Sequence, residues 1–139
     1  MSLFTAIDVA ATALDAQTVR LNSITSNLAN ANSVSDRPDA VYRAQYPVFE
    51  TAYDEAMGAA SVSAAGVRLR DVVLSELPAR REYDPGNPMA DGDGFIYRTA
   101  VNSVEEIANM IEASRSYQAN VEAMNTTKQL ILRTLTLGR

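Results

Sequence analysis

The sequence SVEEIANMIEASRSYQANVEAMNTTKQLILRTLTL, residues Ser103–Leu137, decides the fold. It contains neither glycine nor proline, and its apolar residues recur at helical spacing. One heptad column holds Met110, Tyr117, Met124 and Ile131, and the column three residues earlier holds Ile107, Ser114, Val121, Lys128 and Leu135. Because both columns fall on one side of a helix, the pattern predicts a single long helix, about 50 Å in length at ~1.5 Å per residue, that packs against a partner.

Both ends of this helix carry candidate capping residues. Ser103 and Glu106 fit the capping-box spacing, in which each side chain accepts a hydrogen bond from the other residue's backbone amide. Gly138 suits the left-handed conformation that commonly follows the last helical residue. The sequence therefore predicts where this helix begins and ends.

The opening residues 3–31 have the same organisation. Their heptad columns hold Ile7, Leu14, Leu21 and Leu28, and Leu3, Ala10, Gln17, Ile24 and Ala31. Only Asp8, Asp15 and Arg20 are charged, and the other outward positions are mainly Ala, Ser, Thr, Asn and Gln. This surface fits either a short coiled-coil hairpin with a mildly polar exterior or a helix contacted by other subunits on several sides, and we favour the second.

A small β-rich insert separates the two predicted helices. Residues 33–39 are predicted as a loop, 41–49 as an edge strand, and 52–66 as either a loop or a small packing helix. A strand follows Gly66, residues 83–94 form a turn cluster, and 95–98 form a return strand. The predicted fold is mainly α, with paired, coiled-coil-like terminal helices: residues 1–33 and 102–139 pair, and residues 34–101 form the insert.

Composition excludes several functional classes. The net charge is −5 and the basic residues are scattered, which argues against nucleic-acid binding. No apolar run approaches the ~20 residues that span a bilayer, and no cleavable secretory signal is visible. Because the chain has no cysteine and no histidine, thiol and histidine-based catalysis and the common zinc sites are excluded. We expect no enzyme, no cofactor and no small-molecule substrate.

Two local charge clusters have simple structural interpretations. Asp91 and Asp93 suggest a calcium loop, but the EF-hand spacing would place Phe95 and Asn102 where oxygen ligands are needed. A glycine-rich hairpin is the better interpretation. Arg80 and Arg81 are expected to form a solvated bend rather than a phosphate site.

Several stretches resemble the axial proteins of the bacterial flagellum, which form its rod, hook and hook-filament junction. SNLANANS at residues 26–33 is similar to the N-terminal signature of that family, and ASRSYQANV at 113–121 with LTLG at 135–138 resembles its C-terminal region. YDPGNPMAD at 83–91, with Gly94 beyond it, is similar to a stretch typical of the short proximal rod members. Where the family usually has Pro-Asn-Val-Asp, residues 99–102 are TAVN. The resemblance therefore does not determine the conformation of this loop.

The resemblance implies a structural subunit of the basal-body proximal rod, the drive shaft that transmits torque across the periplasm. It implies helical assembly with copies of itself and other rod proteins, and export by the flagellar type III apparatus without a cleaved signal peptide. The absence of cysteine suits a periplasmic part. The alternative is a soluble coiled-coil adaptor or chaperone of a type III secretion system, although such a protein would normally solvate its helices with Lys and Glu.

We predict an assembly interface on both helices. Its residues either lie in the heptad columns or belong to the resembling stretches, and the asparagines are included because short amides at a helix end can cap it or bond to neighbouring chains. The predicted set is Leu14, Leu21, Asn27, Leu28, Asn30, Asn32, Arg115, Tyr117, Asn120, Val121, Met124, Ile131 and Leu135.

Overall fold

A computed structural model describes residues 3–53 and 64–137 of the chain. The elements in chain order are α1 (Leu3–Ala29), β1 (Val34–Ser35), a 3-10 turn (Pro38–Ala40), β2 (Gln45–Tyr53), β3 (Ala64–Leu74), β4 (Arg80–Tyr83), β5 (Phe95–Arg98) and α2 (Ser103–Leu137). Two long helices therefore flank an insert of short strands, as the sequence predicts.

The strands form two small sheets. In the first, β5 lies between β1 and β4 and pairs antiparallel with both, with Val34 opposite Arg98 and Tyr83 opposite Phe95. In the second, β2 pairs with β3.

The strand predictions are right in part. The return strand β5 and the strand around Gly66 are confirmed, whereas β2 begins at Gln45 rather than at residue 41. The predicted loop at 33–39 contains the two-residue β1, and the predicted bend at Arg80 and Arg81 is wrong because these residues form β4 against β5. Most of the segment predicted as a loop or packing helix, residues 54–63, and Gly138 lie outside the described residues.

One compact unit comprises residues Asn22–Tyr46 and Val72–Ile111. Its buried apolar side chains come from the end of α1, the loop before β2, the central strand β5 and the approach to α2, namely Ile24, Val41, Ala44, Ile96 and Val101. The polar residues Ser23, Asn27, Ser35, Thr99 and Glu106 are also buried. This core is small and contains many polar groups, so the stability of the unit depends on hydrogen bonds between them.

The other unit comprises the described residues of Met1–Leu21, Pro47–Asp71 and Glu112–Arg139. Here β3 approaches α1 closely, since the backbone amide of Val67 donates to Thr12 Oγ1 at 3.2 Å. Gly66 has φ +148°, and a Cβ atom at this position would lie 2.4 Å from Thr12 Oγ1. The close approach therefore requires glycine for both space and backbone conformation. The half-buried Arg20 and the exposed Glu112 form an ion pair at 3.6 Å.

The start of α2 differs from the predicted capping box. Asn102 is the N-cap, because its Oδ1 accepts a hydrogen bond from the Val104 amide at 3.1 Å and its carbonyl oxygen accepts one from the Glu106 amide at 3.0 Å. Asparagine is among the best N-cap residues. The Ser103 and Glu106 capping box is therefore wrong, and the Glu106 side chain is buried instead, at 3% exposure.

The buried side of α2 also lies one residue away from one predicted column. Met110, Met124 and Ile131 are half-buried, in agreement with the first column, although Tyr117 is exposed. The accompanying column consists of the buried Glu106 and Ala113 and the half-buried Asn120 and Thr127. The predicted column of Ile107, Ser114, Val121, Lys128 and Leu135 is covered only in part in the single chain, because Ser114 and Val121 are half-buried whereas Ile107 at 46%, Leu135 at 65% and Lys128 are exposed.

Candidate assembly interface

Asn27, in the last turns of α1, is the centre of a buried hydrogen-bond network. It is 1% exposed. Its Oδ1 accepts hydrogen bonds from the Gln45 backbone amide at 2.8 Å and from the Tyr42 hydroxyl at 2.9 Å, and its Nδ2 donates to the Gln45 carbonyl oxygen at 3.1 Å. The side-chain amide thus pairs with both backbone groups of Gln45, as a neighbouring strand would. Asn27 fixes the start of β2 to α1.

Tyr42 connects this network to the outer turn of α1. Its hydroxyl lies 3.0 Å from Ser26 Oγ, so it contacts two consecutive residues of the helix. With Asn27 it holds the loop before β2 against the helix end. Sequence analysis missed these partners because they lie between 15 and 18 residues from the helix residues that they contact.

Glu106 lies in the same unit and has an unusual environment. Its Oε2 atom is buried and has no hydrogen-bond partner among residues 3–53 and 64–137. Burial raises the pKa of Glu106 above its ordinary value, the negative charge of Glu105 adds to this, and a hydrogen bond from the Asn27 side chain acts in the opposite direction. The pKa of Tyr46 is also raised, by burial and then by the charges of Glu106 and Glu105. Ionisation of Glu106 is therefore costly in the folded unit.

The two other predicted asparagines have different environments. Asn30 Nδ2 donates to the Ser26 carbonyl oxygen at 2.9 Å, and the Asn30 carbonyl accepts from Ser33 Oγ at 2.8 Å, so Asn30 satisfies carbonyl groups at the helix end. Asn32 is exposed. Of the three, Asn27 faces the chain's own interior in this conformation, Asn30 caps, and Asn32 is accessible to another chain.

The remaining predicted interface residues divide by exposure. Eight of the full set are half-buried: Leu14, Leu21, Leu28, Asn30, Asn120, Val121, Met124 and Ile131. Four are exposed: Asn32, Arg115, Tyr117 and Leu135. The four exposed residues are the members of the set that this conformation presents most fully to solvent.

A further set of exposed apolar residues was not in the predicted interface. Val104, Ile107 and Ile111 are 74%, 46% and 51% exposed, and their spacing of three and four residues places them on one side of α2. We call these three residues the apolar face of α2. Leu130 and Leu132 near the end of the helix are also exposed. Contiguous exposed apolar residues mark surfaces that contact other macromolecules.

The Asp91 turn is a structural hairpin, as the sequence indicates. Asp91 Oδ1 accepts hydrogen bonds from the amides of Asp93 at 3.0 Å and Phe95 at 2.8 Å, and Oδ2 accepts one from the Tyr97 hydroxyl at 3.3 Å. The Phe95 amide is the main cause of a lowered pKa of Asp91. Both carboxylate oxygens are used in shaping the turn.

No group of three or more acidic side chains in the described parts of the chain is placed to hold a metal ion. Neither α1 nor α2, over its described residues, is long and apolar enough to cross a membrane.

Comparison with known proteins gives matches over part and over all of the chain. Residues 93–137 match the family model described as flagellar basal body rod FlgEFG protein C-terminal. The flagellar basal-body rod protein FlgC of Escherichia coli O6:H1 is 47% identical over 139 residues, which are 100% of both chains. The protein of the same name from Salmonella typhimurium is 45% identical over 100% of both chains. That from Agrobacterium fabrum is 37% identical and covers 97% of this chain and 94% of the relative.

These relatives extend the resemblance from short motifs to the entire sequence, including the insert. The adaptor or chaperone alternative gains no support from them. The chain belongs to the FlgC family of flagellar basal-body rod proteins and is a structural subunit of the rod.

Proposed function

We propose that this subunit lies in the proximal part of the rod, in a helical assembly with copies of itself and other rod proteins, and that its neighbours cover the faces that the single chain exposes. The observation that carries the proposal is the apolar face of α2, defined by Val104, Ile107 and Ile111. Burial of such side chains contributes about 1.5–3 kcal/mol each when it is complete. A neighbour that covers this face would therefore stabilise the assembly strongly.

The composition of α1 supports contacts on several sides. Its outward positions carry small residues with few charges, so another helix can approach closely. In the proposed assembly, residues 1–33 and 102–139 form a coiled-coil-like axial pair, and residues 34–101 extend from it. The 13 predicted interface residues are part of the proposed contact surface, with Asn27 acting indirectly by positioning β2.

We propose export through the flagellar type III apparatus without a cleaved signal peptide, and residence in the periplasm. The cysteine-free sequence suits that compartment. We propose no catalytic role, no cofactor and no nucleic-acid or small-molecule ligand, because the side chains with unusual environments, Glu106 and Asp91, are explained by packing and turn formation.

The proposal is tested by replacing Val104, Ile107 and Ile111 together with serine in a strain that lacks its own copy of this protein. All three are exposed in the single chain, so the free energy of unfolding should change by no more than about 0.5 kcal/mol per site. We expect normal export but few rods and no motility. Met89→Ser, at an exposed apolar residue of the turn, is the control. Full motility of the triple variant would contradict the proposal.

Folding of the terminal helices should then depend on assembly. In the dilute monomer we expect little amide-exchange protection over residues 3–21 and 112–137, which lie outside the compact unit of residues 22–46 and 72–111, because neighbours provide much of the burial that offsets the entropy of ordering them. Strong protection in a monomer of 15.0 kDa would mean that the helices are self-sufficient.

A further inference from the structure

Arg80 and Arg98 are placed directly opposite each other in the β4–β5 ladder. Side chains at directly opposite positions lie on the same face of a sheet and within interaction distance, and like charges in this arrangement destabilise it. The three-stranded sheet therefore contains a pair of residues that weakens it. A contact that neutralises one of the two charges would remove this destabilisation.

Among the described residues, one of the two arginines has an ion-pair partner. Arg98 Nε donates to Glu82 Oε2 in an ion pair. The exposed guanidinium of Arg80 makes no hydrogen bond or ion pair with any residue in the described parts of the chain. Arg80 consequently adds an unbalanced positive charge beside Arg98.

Both arginines line a cavity of about 310 Å³. The polar side chains of Asn32, Thr99, Asn102 and Ser103 line the same cavity. We call this cavity the Arg80 pocket. A planar guanidinium with several donors in fixed positions matches a carboxylate well, and the surrounding amides and hydroxyls can add hydrogen bonds. The pocket is therefore suited to a carboxylate.

A second copy of this chain offers such carboxylates. The chain has 17 acidic and 12 basic residues, so each copy has acidic residues in excess. On the helices, Asp8, Asp15 and Glu122 are exposed and form no ion pair with any residue that the structure describes. Charge complementarity thus favours contact between the Arg80 pocket of one copy and an acidic side chain of another.

We infer that the Arg80 pocket binds an Asp or Glu side chain of a second copy in the assembled rod. The inference rests on the proposed function, since it assigns one specific contact within the proposed assembly. It also explains the cross-strand arginine pair: a charge that weakens the isolated sheet is balanced when the neighbouring copy is in place.

The test separates the stability of the chain from its assembly. Arg80→Glu places opposite charges across the β4–β5 ladder, so the urea midpoint of the purified variant should equal or exceed that of the wild type. The same variant should fail to restore motility or basal bodies in a strain that lacks the wild-type protein. Arg70→Glu, the same charge change at an exposed residue of β3, is the control and should restore motility.

Three results of this test would overturn the inference. A lower urea midpoint for Arg80→Glu would mean that Arg80 stabilises its own sheet, and wild-type motility would mean that the pocket contacts no acidic partner. Equal loss with Arg70→Glu would indicate a general effect of charge. If the wild-type gene itself does not restore motility, the proposed function fails instead.

Motile revertants of the Arg80→Glu strain identify the partner. We expect second-site changes of an acidic residue to Lys or Arg within this same chain. Compensating changes found only in other rod proteins would overturn the assignment to a second copy.

Discussion

Replacing Asn27 by alanine should destabilise the folded chain more than any exposed substitution on α1. The substitution removes three hydrogen bonds, two to the backbone of Gln45 and one from Tyr42, and also the hydrogen bond that the Asn27 side chain gives to Glu106. At a net ~0.5–1.5 kcal/mol each, the three bonds with Gln45 and Tyr42 alone contribute roughly 1.5–4.5 kcal/mol. Alanine recovers roughly 0.5–0.7 kcal/mol through its higher helix propensity. We expect a net loss of about 2–3 kcal/mol, because Tyr42 keeps its contact with Ser26.

The assay is urea unfolding followed by circular dichroism, with linear extrapolation to water. Asn32→Ala is the matched control, since Asn32 is exposed and its replacement should change the free energy of unfolding by no more than about 0.5 kcal/mol. If Asn27→Ala lies within that same range, the hydrogen-bond network does not hold β2 to α1 and the reasoning is refuted.

Asn27→Asp separates the roles of the amide oxygen and the amide nitrogen. A carboxylate can keep the two hydrogen bonds that Oδ1 accepts, but its second oxygen would face the Gln45 carbonyl oxygen, 3.1 Å from Nδ2 in the wild type. The folded-state pKa of the new side chain should therefore be raised, and this variant should gain stability as the pH falls through that pKa, because the protonated acid can donate. A pH-independent difference from the wild type would contradict the geometry.

Three further perturbations test other parts of the structure. Gly66→Ala should lower the yield of assembled rods, because the new methyl group meets Thr12 and φ is unfavourable, while Gly92→Ala, with open space around it, should assemble normally. Glu106→Gln should be more stable than the wild type at pH 7. Because the pKa of Glu106 is raised in the folded state, the free energy of unfolding of the wild type falls as the pH rises from the ordinary pKa of a glutamate through the folded-state pKa, and glutamine removes this loss. Parallel pH profiles of stability for the two proteins would contradict this. Asp91→Asn should lose stability at neutral pH, and the difference should disappear as the pH falls through the lowered pKa of Asp91; a constant difference down to acid pH would argue against the turn geometry.

The helices could be predicted because their signals are local. Both heptad patterns lie within continuous segments, and α2 covers the predicted range while α1 ends two residues before the predicted end. The return strand β5 was likewise marked by apolar and aromatic residues directly after a turn cluster.

The strands β1 and β4 could not be predicted in the same way. The four residues of β4 are all exposed and show no alternation of apolar and polar side chains. Both strands form because they pair with β5, and a pattern within the strand's own few residues cannot indicate a partner elsewhere in the chain. Pairing overrides propensity in such short strands.

The buried side of α2 was misplaced by one residue for a related reason. The covered column contains the buried Glu106 and the half-buried Asn120 and Thr127, whose side chains give no apolar signal, whereas Ile107 and Leu135 are exposed in the single chain. The heptad pattern therefore includes apolar residues that are exposed to solvent in the single chain. In the proposed assembly, those residues face neighbouring subunits.

The interface asparagines illustrate what motifs can and cannot specify. The stretch at 26–33 indicated that these residues have structural roles, and Asn30 caps the helix end as expected. Asn27, however, uses its amide on Gln45, 18 residues further along, and this partner becomes evident only in the folded structure.

A density map of the assembled basal body, with this chain fitted, tests the central claim most directly. We expect Val104, Ile107 and Ile111 to lie against neighbouring subunits and to lose most of their exposure, and the helix of residues 103–137 to be continuous. A map in which these three side chains remain in contact with solvent along the whole assembly would contradict the claim that neighbours complete the fold.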